Sequence, residues 1–510
     1  MSTLGNGETG SESPGRRRAR RWGLVGAPIL ALAVYGLLPD SYSGAGGEVQ
    51  SLGHAAKLTA ALAVWMAVWW MTEAIPVYAT ALLPLAVLPA GGAASMGTTA
   101  SAYAHELIFL FMGGFLLALG MERWGLHRRI ALTAMRAAGT RPRVVIGAFM
   151  AVTAVMSMWV SNTATALMMM PIALSVVDLL GNSGEESAEP TEERRFALCL
   201  MLGIAYAASI GGLGTIIGSP PNVFVVSYIK SELGREVSFL TWMLIGVPLV
   251  CVFLPITWLL LTFVLYPVRL RTLPGGEAYF RNAFERLGKT KPGEWAVFLV
   301  FMATALCWMT RPLLAKLRVG DIEPFAGLTD AGIAMIAALL LFVIPADRQA
   351  RTAVLDWEWA VKIPWGILIL FGGGLSLAAA IDSTGVSAYL GSRVAGLRGL
   401  PPLALVVLVS ALVIFLTELT SNTATTAAFV PILAAVAPGL GVPVVALIVP
   451  AALAASCAFM LPVATPPNAI VFGTGRVTIV QMARAGIWLN LVGIGLLVAT
   501  AFTLILPLLG

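Results

Sequence analysis

The chain has 510 residues, 58% of them hydrophobic and only 11% charged, with a net charge of +6. Soluble domains carry about 25% charged residues, so a water-soluble enzyme, a disordered chain and a nucleic-acid binder are all excluded. Too few polar groups exist to coat a surface in water, and the chain belongs in a bilayer, where each helical span needs roughly 20 apolar residues.

The first 15 residues are rich in Gly, Ser, Glu and Thr, a disordered composition. Arg16, Arg17, Arg18, Arg20 and Arg21 then precede an apolar stretch from Trp22 to Leu38. The arrangement imitates a signal peptide, but no small-residue cleavage site follows and many more spans come later. The reading is a disordered basic tail over 1–21, its flank cytoplasmic, and a retained first helix with its loop over 22–53.

Eleven crossings follow the apolar pattern: 22–39, 55–71, 76–92, 104–122, 196–229, 240–266, 294–311, 328–345, 363–381, 441–475 and 481–508. The fifth and tenth are too long for simple helices and carry Gly/Pro-rich interruptions. Segments 144–180 and 401–437 are also too long for one span, and each has Ser-Asn-Thr at its centre. They read as re-entrant hairpins, an inner and an outer one, that enter and leave on the same side. With the N-terminus inside, this arrangement puts 24 of the 32 Lys and Arg residues inside and 8 outside, as the positive-inside rule requires. Cys199, Cys251, Cys307 and Cys457 lie in apolar stretches without CxxC spacing, so neither a disulfide nor a metal framework is expected.

The two halves repeat. SNTATALMMMPI at 161–172 and SNTATTAAFVPI at 421–432 share seven of twelve positions. Gly113-Gly114-Phe115-Leu116 answers Gly372-Gly373-Gly374-Leu375, and Gly218-Ser219-Pro220-Pro221-Asn222 answers Ala464-Thr465-Pro466-Pro467-Asn468. Repeat 1 covers 54–267 and repeat 2 covers 294–510, joined by a cytoplasmic linker over 268–293. Five crossings per unit is an odd number, so the units sit upside down relative to each other. Inverted repeats with interrupted segments at matching places mark secondary transporters. The fold class is therefore an all-α polytopic membrane protein, with about eleven transmembrane helices and two re-entrant hairpins.

Irregular backbone at membrane depth is tolerated only inside protein or along a wet cavity. Ser, Asn and Thr are good helix N-caps, so Ser161-Asn162-Thr163 and Ser421-Asn422-Thr423 can each start a returning half-helix. Their free N–H groups and positive dipole ends would suit an anion with a negative group at each end. The interruptions at Gly218 and Ala464 supply carbonyl oxygens suited to Na⁺. Ser157 and Thr417 each lie four residues before an SNT serine, where their hydroxyls join Asn162 and Asn422 in two matching cation cages. Neither block holds Lys or Arg, so a bound anion needs a mobile counter-charge, which co-bound Na⁺ supplies.

At these residues, and at WMTEAIP from 70 and FMGGFLLALGMERWGLHRR from 111, the chain closely resembles the divalent anion:sodium symporter (DASS) family of dicarboxylate transporters. The resemblance covers nearly the whole chain beyond residue 20. It implies a homodimer of protomers that each pair a scaffold with a moving transport domain, an elevator mechanism, and one substrate site between the hairpin tips. It implies a first sodium site at Ser157, Ser161, Asn162 and the Gly218 carbonyl. The second would use Thr417, Thr420, Asn422 and Ala464, with backbone ligands at Thr420 and Ala464. Both SNT blocks would hold the substrate carboxylates, with Ser219, Thr465 and Pro466 beside them.

Other candidates weigh less. Glu73 sits at a predicted turn and reads as a cap or solvated group. Glu418 either tunes the cation site or pairs structurally. Arg123, His127, Arg128, Arg129 and Arg136 read as a surface arm helix on the headgroups. His105 starts a span and reads as structural, and His105-Glu106 fails as HExxH because Phe109 stands where the second His belongs. No GxSxG or P-loop is present. The expectation is a transporter and not an enzyme: a sodium-coupled symporter of C4-dicarboxylates in a cell inner or plasma membrane, with lipid, sodium and a second protomer as partners and no nucleic acid. A sodium-independent exchanger, a sodium/sulfate symporter, a channel and an intramembrane hydrolase are the competing readings.

Overall fold

The computed structural model describes residues 14–43, 48–181, 190–273, 275–318, 321–347, 352–397 and 399–510. Among them, eight helices are long and apolar enough to cross a membrane. They are His54–Thr72, Met96–Trp124, Glu192–Gly211, Phe239–Leu265, Pro292–Leu314, Trp365–Ser383, Asn422–Leu440 and Ile479–Leu509. Two short antiparallel ribbons, Ser41–Ser43 with Val49–Ser51 and Pro345–Asp347 with Thr352–Ala353, are the strands of the described residues.

The first helix runs Pro14–Leu37, so the arginine run from Arg16 to Arg21 is helical and not part of a disordered tail. Arginine is a good helix former, and the helix simply continues through the run. The tail ahead of Pro14 lies outside the described residues. This helix packs along His54–Thr72, with Trp69 Nε1 donating to the Gly23 carbonyl at 3.0 Å.

The two SNT segments form helix–turn–helix hairpins. The first has arms Pro142–Ser157 and Asn162–Gly181, and the second Pro402–Thr417 and Asn422–Leu440. Each leading arm starts on proline at its first helical position, where the missing N–H costs nothing. Sixteen residues give a helix of about 24 Å, short of a bilayer core of about 30 Å.

The two broken segments interlock with these hairpins. Pro190–Gly211 lies on both arms of the first hairpin, and Val445–Ala455 on both arms of the second. After its break each chain crosses over: Pro220–Leu233 packs on the returning arm of the second hairpin, and Pro466–Gly473 on the returning arm of the first. Burial grades accordingly. The apolar window of Glu192–Gly211 is 89% buried, whereas those of Pro292–Leu314 and Ile479–Leu509 are 33% and 28% buried. The last two expose Leu299, Leu306, Val480 and Trp488, the composition of a lipid-facing surface.

Glu106–Trp124 packs on Asp330–Val343 and Pro292–Leu314. The arm helix runs Leu126–Ala138 and buries Leu126, Ala131, Leu132 and Met135. Arg123 belongs to the preceding helix, because Gly125 at φ 70° ends that helix in the left-handed region. Arg123 pairs with Asp356 at 2.6 Å, and Arg129 of the arm pairs with Glu294 at 2.6 Å.

Candidate functional site

Ser161 and Ser421 cap the returning arms, their hydroxyls accepting from Ala164 N at 3.3 Å and Ala424 N at 3.5 Å. Their carbonyls accept from Thr165 N at 2.9 Å and Thr425 N at 2.8 Å. The N–H groups of Asn162, Thr163, Asn422 and Thr423, at the helix starts, have no intrahelical acceptor.

One cavity of about 620 Å³ takes in both tips and both proline turns. Ser161, Asn162, Thr163, Gly218, Ser219, Thr420, Ser421, Asn422, Thr423, Ala464, Thr465 and Pro466 all line it. Residues 260 apart in sequence thus share one space. Ser157 and Thr417 lie one turn behind the wall, fully buried. Ser157 Oγ is 2.7 Å from Asn162 Oδ1 and 2.7 Å from the Ala208 carbonyl. Thr417 Oγ1 is 2.8 Å from Asn422 Oδ1 and 3.0 Å from the Ala455 carbonyl. One hydroxyl hydrogen serves one acceptor, so each cluster holds more oxygens than protons to bridge them. In the first cluster the Asn162 amide atom facing Ser157 also sits 3.2 Å from the carbonyls of Gly218 and Ala208. With nitrogen in that place its two hydrogens serve two of these three oxygens; with oxygen there, four oxygens converge, as around a hard cation.

The turns are strapped identically. Asn222 Nδ2 donates to the carbonyls of Gly212 and Thr215, each at 2.8 Å, and Asn468 Nδ2 to those of Ala458 and Leu461, each at 3.1 Å. Gly212 is a close approach: a Cβ there would meet the Asn162 amide at 2.7 Å and the Gly218 carbonyl at 3.0 Å.

Ser219 and Thr465 are the N-caps of Pro220–Leu233 and Pro466–Gly473. Four helix N-termini therefore face one cavity. Each carries about half an elementary positive charge, near +2 in sum. The proline turns are thus helix starts as well as carbonyl sources, since Ser or Thr followed by proline is a helix-start signal. Lys362 and Glu122 are further wall residues that spacing did not bring out. Lys362 Nζ lies 3.5 Å from the centre of the Trp359 ring, and among the described residues no other Lys or Arg lines the cavity. Glu73 caps His54–Thr72 in a left-handed conformation at φ 47° and also lines the cavity. His105 caps Glu106–Trp124 by accepting from Leu107 N at 3.4 Å. Glu418 pairs structurally: its carboxylate accepts from Phe459, Met460 and Leu461 N–H groups and from Asn490 Nδ2 at 2.8–3.1 Å.

A family model described as the sodium:sulfate symporter transmembrane region matches residues 22–509. The chain belongs to the sodium:sulfate symporter family. Membership makes it a multi-pass membrane transporter with sodium as the co-transported ion, and not an enzyme. The sodium-dependent dicarboxylate transporter SdcS of Staphylococcus saprophyticus is 42% identical over 490 residues, covering 96% of this chain and 92% of that protein. SdcS of Staphylococcus aureus is 43% identical over 433 residues, 85% of this chain and 82% of that one. Two solved structures share the fold. The YdaH transporter of Alcanivorax borkumensis superposes with a TM-score of 0.57 at 14% identity, over 95% of this chain and 98% of its own. MtrF of Neisseria gonorrhoeae, from a class of antimetabolite efflux pumps, does so with a TM-score of 0.58 at 13% identity, over 97% and 96%.

Proposed function

We propose that the protein is a sodium-driven symporter of C4-dicarboxylates such as succinate, malate and fumarate. The observation that carries this reading is the meeting of both SNT tips and both proline turns in one cavity. A dianion placed between the tips meets the N–H groups of Asn162, Thr163, Asn422 and Thr423, with the hydroxyls of Ser161, Ser421, Ser219 and Thr465 around it. The four dipole ends suit two negative charges.

Sodium joins at the two oxygen clusters. The first takes Ser157, Ser161, Asn162 and the Gly218 carbonyl, with the Ala208 carbonyl beside them. The second takes Thr417, Asn422 and the carbonyls of Thr420 and Ala464, with Ala455 beside them. Each Asn both ligates sodium and starts the half-helix that meets the substrate, so filling the cage fixes the anion site. That shared residue is the physical coupling between the two cargoes.

The hairpins and broken helices move as one body against the scaffold around Glu106–Trp124, an elevator motion within a homodimer. The repeats cover 54–267 and 294–510 about the cytoplasmic linker 268–293. The protein sits in a bacterial inner or plasma membrane with its N-terminus in the cytoplasm. The relatives named sodium-dependent dicarboxylate transporter support the substrate and the coupling.

Uptake of labelled succinate into proteoliposomes tests the reading. An inward Na⁺ gradient is expected to drive accumulation that choline does not. Counterflow that proceeds equally without Na⁺ would replace symport with exchange, and competition by unlabelled sulfate but not malate would replace the substrate.

A further inference from the structure

We propose a second ligand site, for an organic cation with an apolar body, in a cavity separate from the transport site. This cavity has a volume of about 400 Å³ and shares no lining residue with the first. It lies where the ends of Pro220–Leu233 and Trp365–Ser383 meet the helix Val386–Val394 and the tail of the second hairpin.

Two carboxylates set its charge. Glu232 is half-buried in the wall and Asp382 stands at the rim. Among the described residues no Lys, Arg or His lines the cavity, and neither acid is in an ion pair. Among the described residues Asp382 Oδ1 accepts only from the Ser387 hydroxyl, at 3.2 Å. A separate observation points the same way. Tyr228 is 6% exposed and lines the cavity, yet its hydroxyl has no hydrogen-bond partner among the described residues. That oxygen is not among the buried unpartnered atoms, so it opens into the cavity, where a donor on a bound cation can reach it.

The chemistry selects an ammonium over a metal ion. A hard cation takes six to eight oxygen ligands at close range, and among the described residues no group of three or more acidic, His or Cys side chains is placed to hold one. The volume is far larger than one ion needs, and Leu233, Ile381 and Pro438 make much of the wall apolar. An ammonium gives three donors for the two carboxylates and the tyrosine oxygen, while its apolar body fills the remainder. The site stands independently of the dicarboxylate reading, since it shares no residue with the transport cavity.

The test is thermal unfolding of the purified full-length protein titrated with adamantylamine, with adamantanol as the neutral isostere and calcium chloride as the metal arm. The amine is expected to raise Tm in the presence or absence of Na⁺ and succinate, and the alcohol and calcium are not. The double variant Glu232→Gln/Asp382→Asn is expected to weaken the amine's apparent affinity about tenfold or more. Tyr228→Phe, which leaves the packing intact, is expected to weaken it less and serves if the double variant fails to fold. Equal shifts from amine and alcohol, a shift from calcium alone, or an affinity unchanged in both variants would overturn the proposal.

Discussion

Glu418 and Met460 are joined twice, the Met460 N–H lying 2.9 Å from one carboxylate oxygen and 3.0 Å from the other. Phe459 N–H, Leu461 N–H and Asn490 Nδ2 complete the ring of donors. Both oxygens only accept, so the geometry is that of an ionised carboxylate. It ties the second hairpin tip to the unwound stretch that ends at Ala464. Glu418→Ala strips the acceptor from four buried donors, each worth about 1–3 kcal/mol when orphaned. The expected result is poorly folded protein, with Glu418→Gln clearly milder because its amide oxygen still accepts. Thermal unfolding of the two variants checks this; equal stability would remove the pin.

Ser157 and Thr417 sit behind the cavity wall and touch Asn162 and Asn422, so they reach substrate only through those amides. Ser157→Ala is expected to raise the Na⁺ concentration for half-maximal uptake while leaving the succinate KM at saturating Na⁺ less changed. Asn162→Ala and Asn422→Ala are expected to abolish uptake with the fold retained, as size-exclusion chromatography would report. Full transport in either Asn variant would defeat the site assignment.

Gly212 and Ala458 occupy matching places, each giving its carbonyl to an Asn ten residues on. Only the first lacks room for a methyl. Gly212→Ala is expected to displace the Asn162 amide and the Gly218 carbonyl, at an overpacking cost of about 1–3 kcal/mol. Na⁺-dependent stabilisation should then fall far more than in Ala458→Gly. Comparing Tm with and without Na⁺ for both variants reads this out.

Arg129 and Glu294 fasten the arm helix to Pro292–Leu314, with side chains 14% and 7% exposed. Breaking one side of such a pair costs about 3–5 kcal/mol, because the other charge stays buried. Glu294→Ala is expected to lower Tm markedly. The double variant Arg129→Met/Glu294→Leu is expected to recover most of the loss, and failure to recover would mean that the pair does more than hold the arm.

Much of this was legible because the membrane leaves few choices. An apolar run too long for one helix, broken by Ser-Asn-Thr, has to turn inside protein, and the turns fall at 158–161 and 418–421 as the spacing requires. The repeat of SNTAT at 161 and 421 implies that the two tips meet, and both line one cavity. What escaped has a common cause. The Ala208 and Ala455 carbonyls are backbone atoms of residues with no polar signature. The partners of Glu418 lie 41 to 72 residues away. Arg123 reads as an arm residue until Gly125 takes a positive φ and separates it from the arm. Lys362 reaches the cavity wall through tertiary packing that no local pattern encodes.

The crossover of the broken helices has a consequence for biosynthesis. Pro220–Leu233 leaves the ribosome some two hundred residues before the hairpin arm that it rests against, and Asn162–Gly181 waits almost three hundred for Pro466–Gly473. Neither half of the molecule can reach its final shape by itself. The returning arm of the first hairpin lacks its Pro466–Gly473 cover until nearly the last span has been inserted, and early termination upstream of residue 466 would leave the transport cavity open.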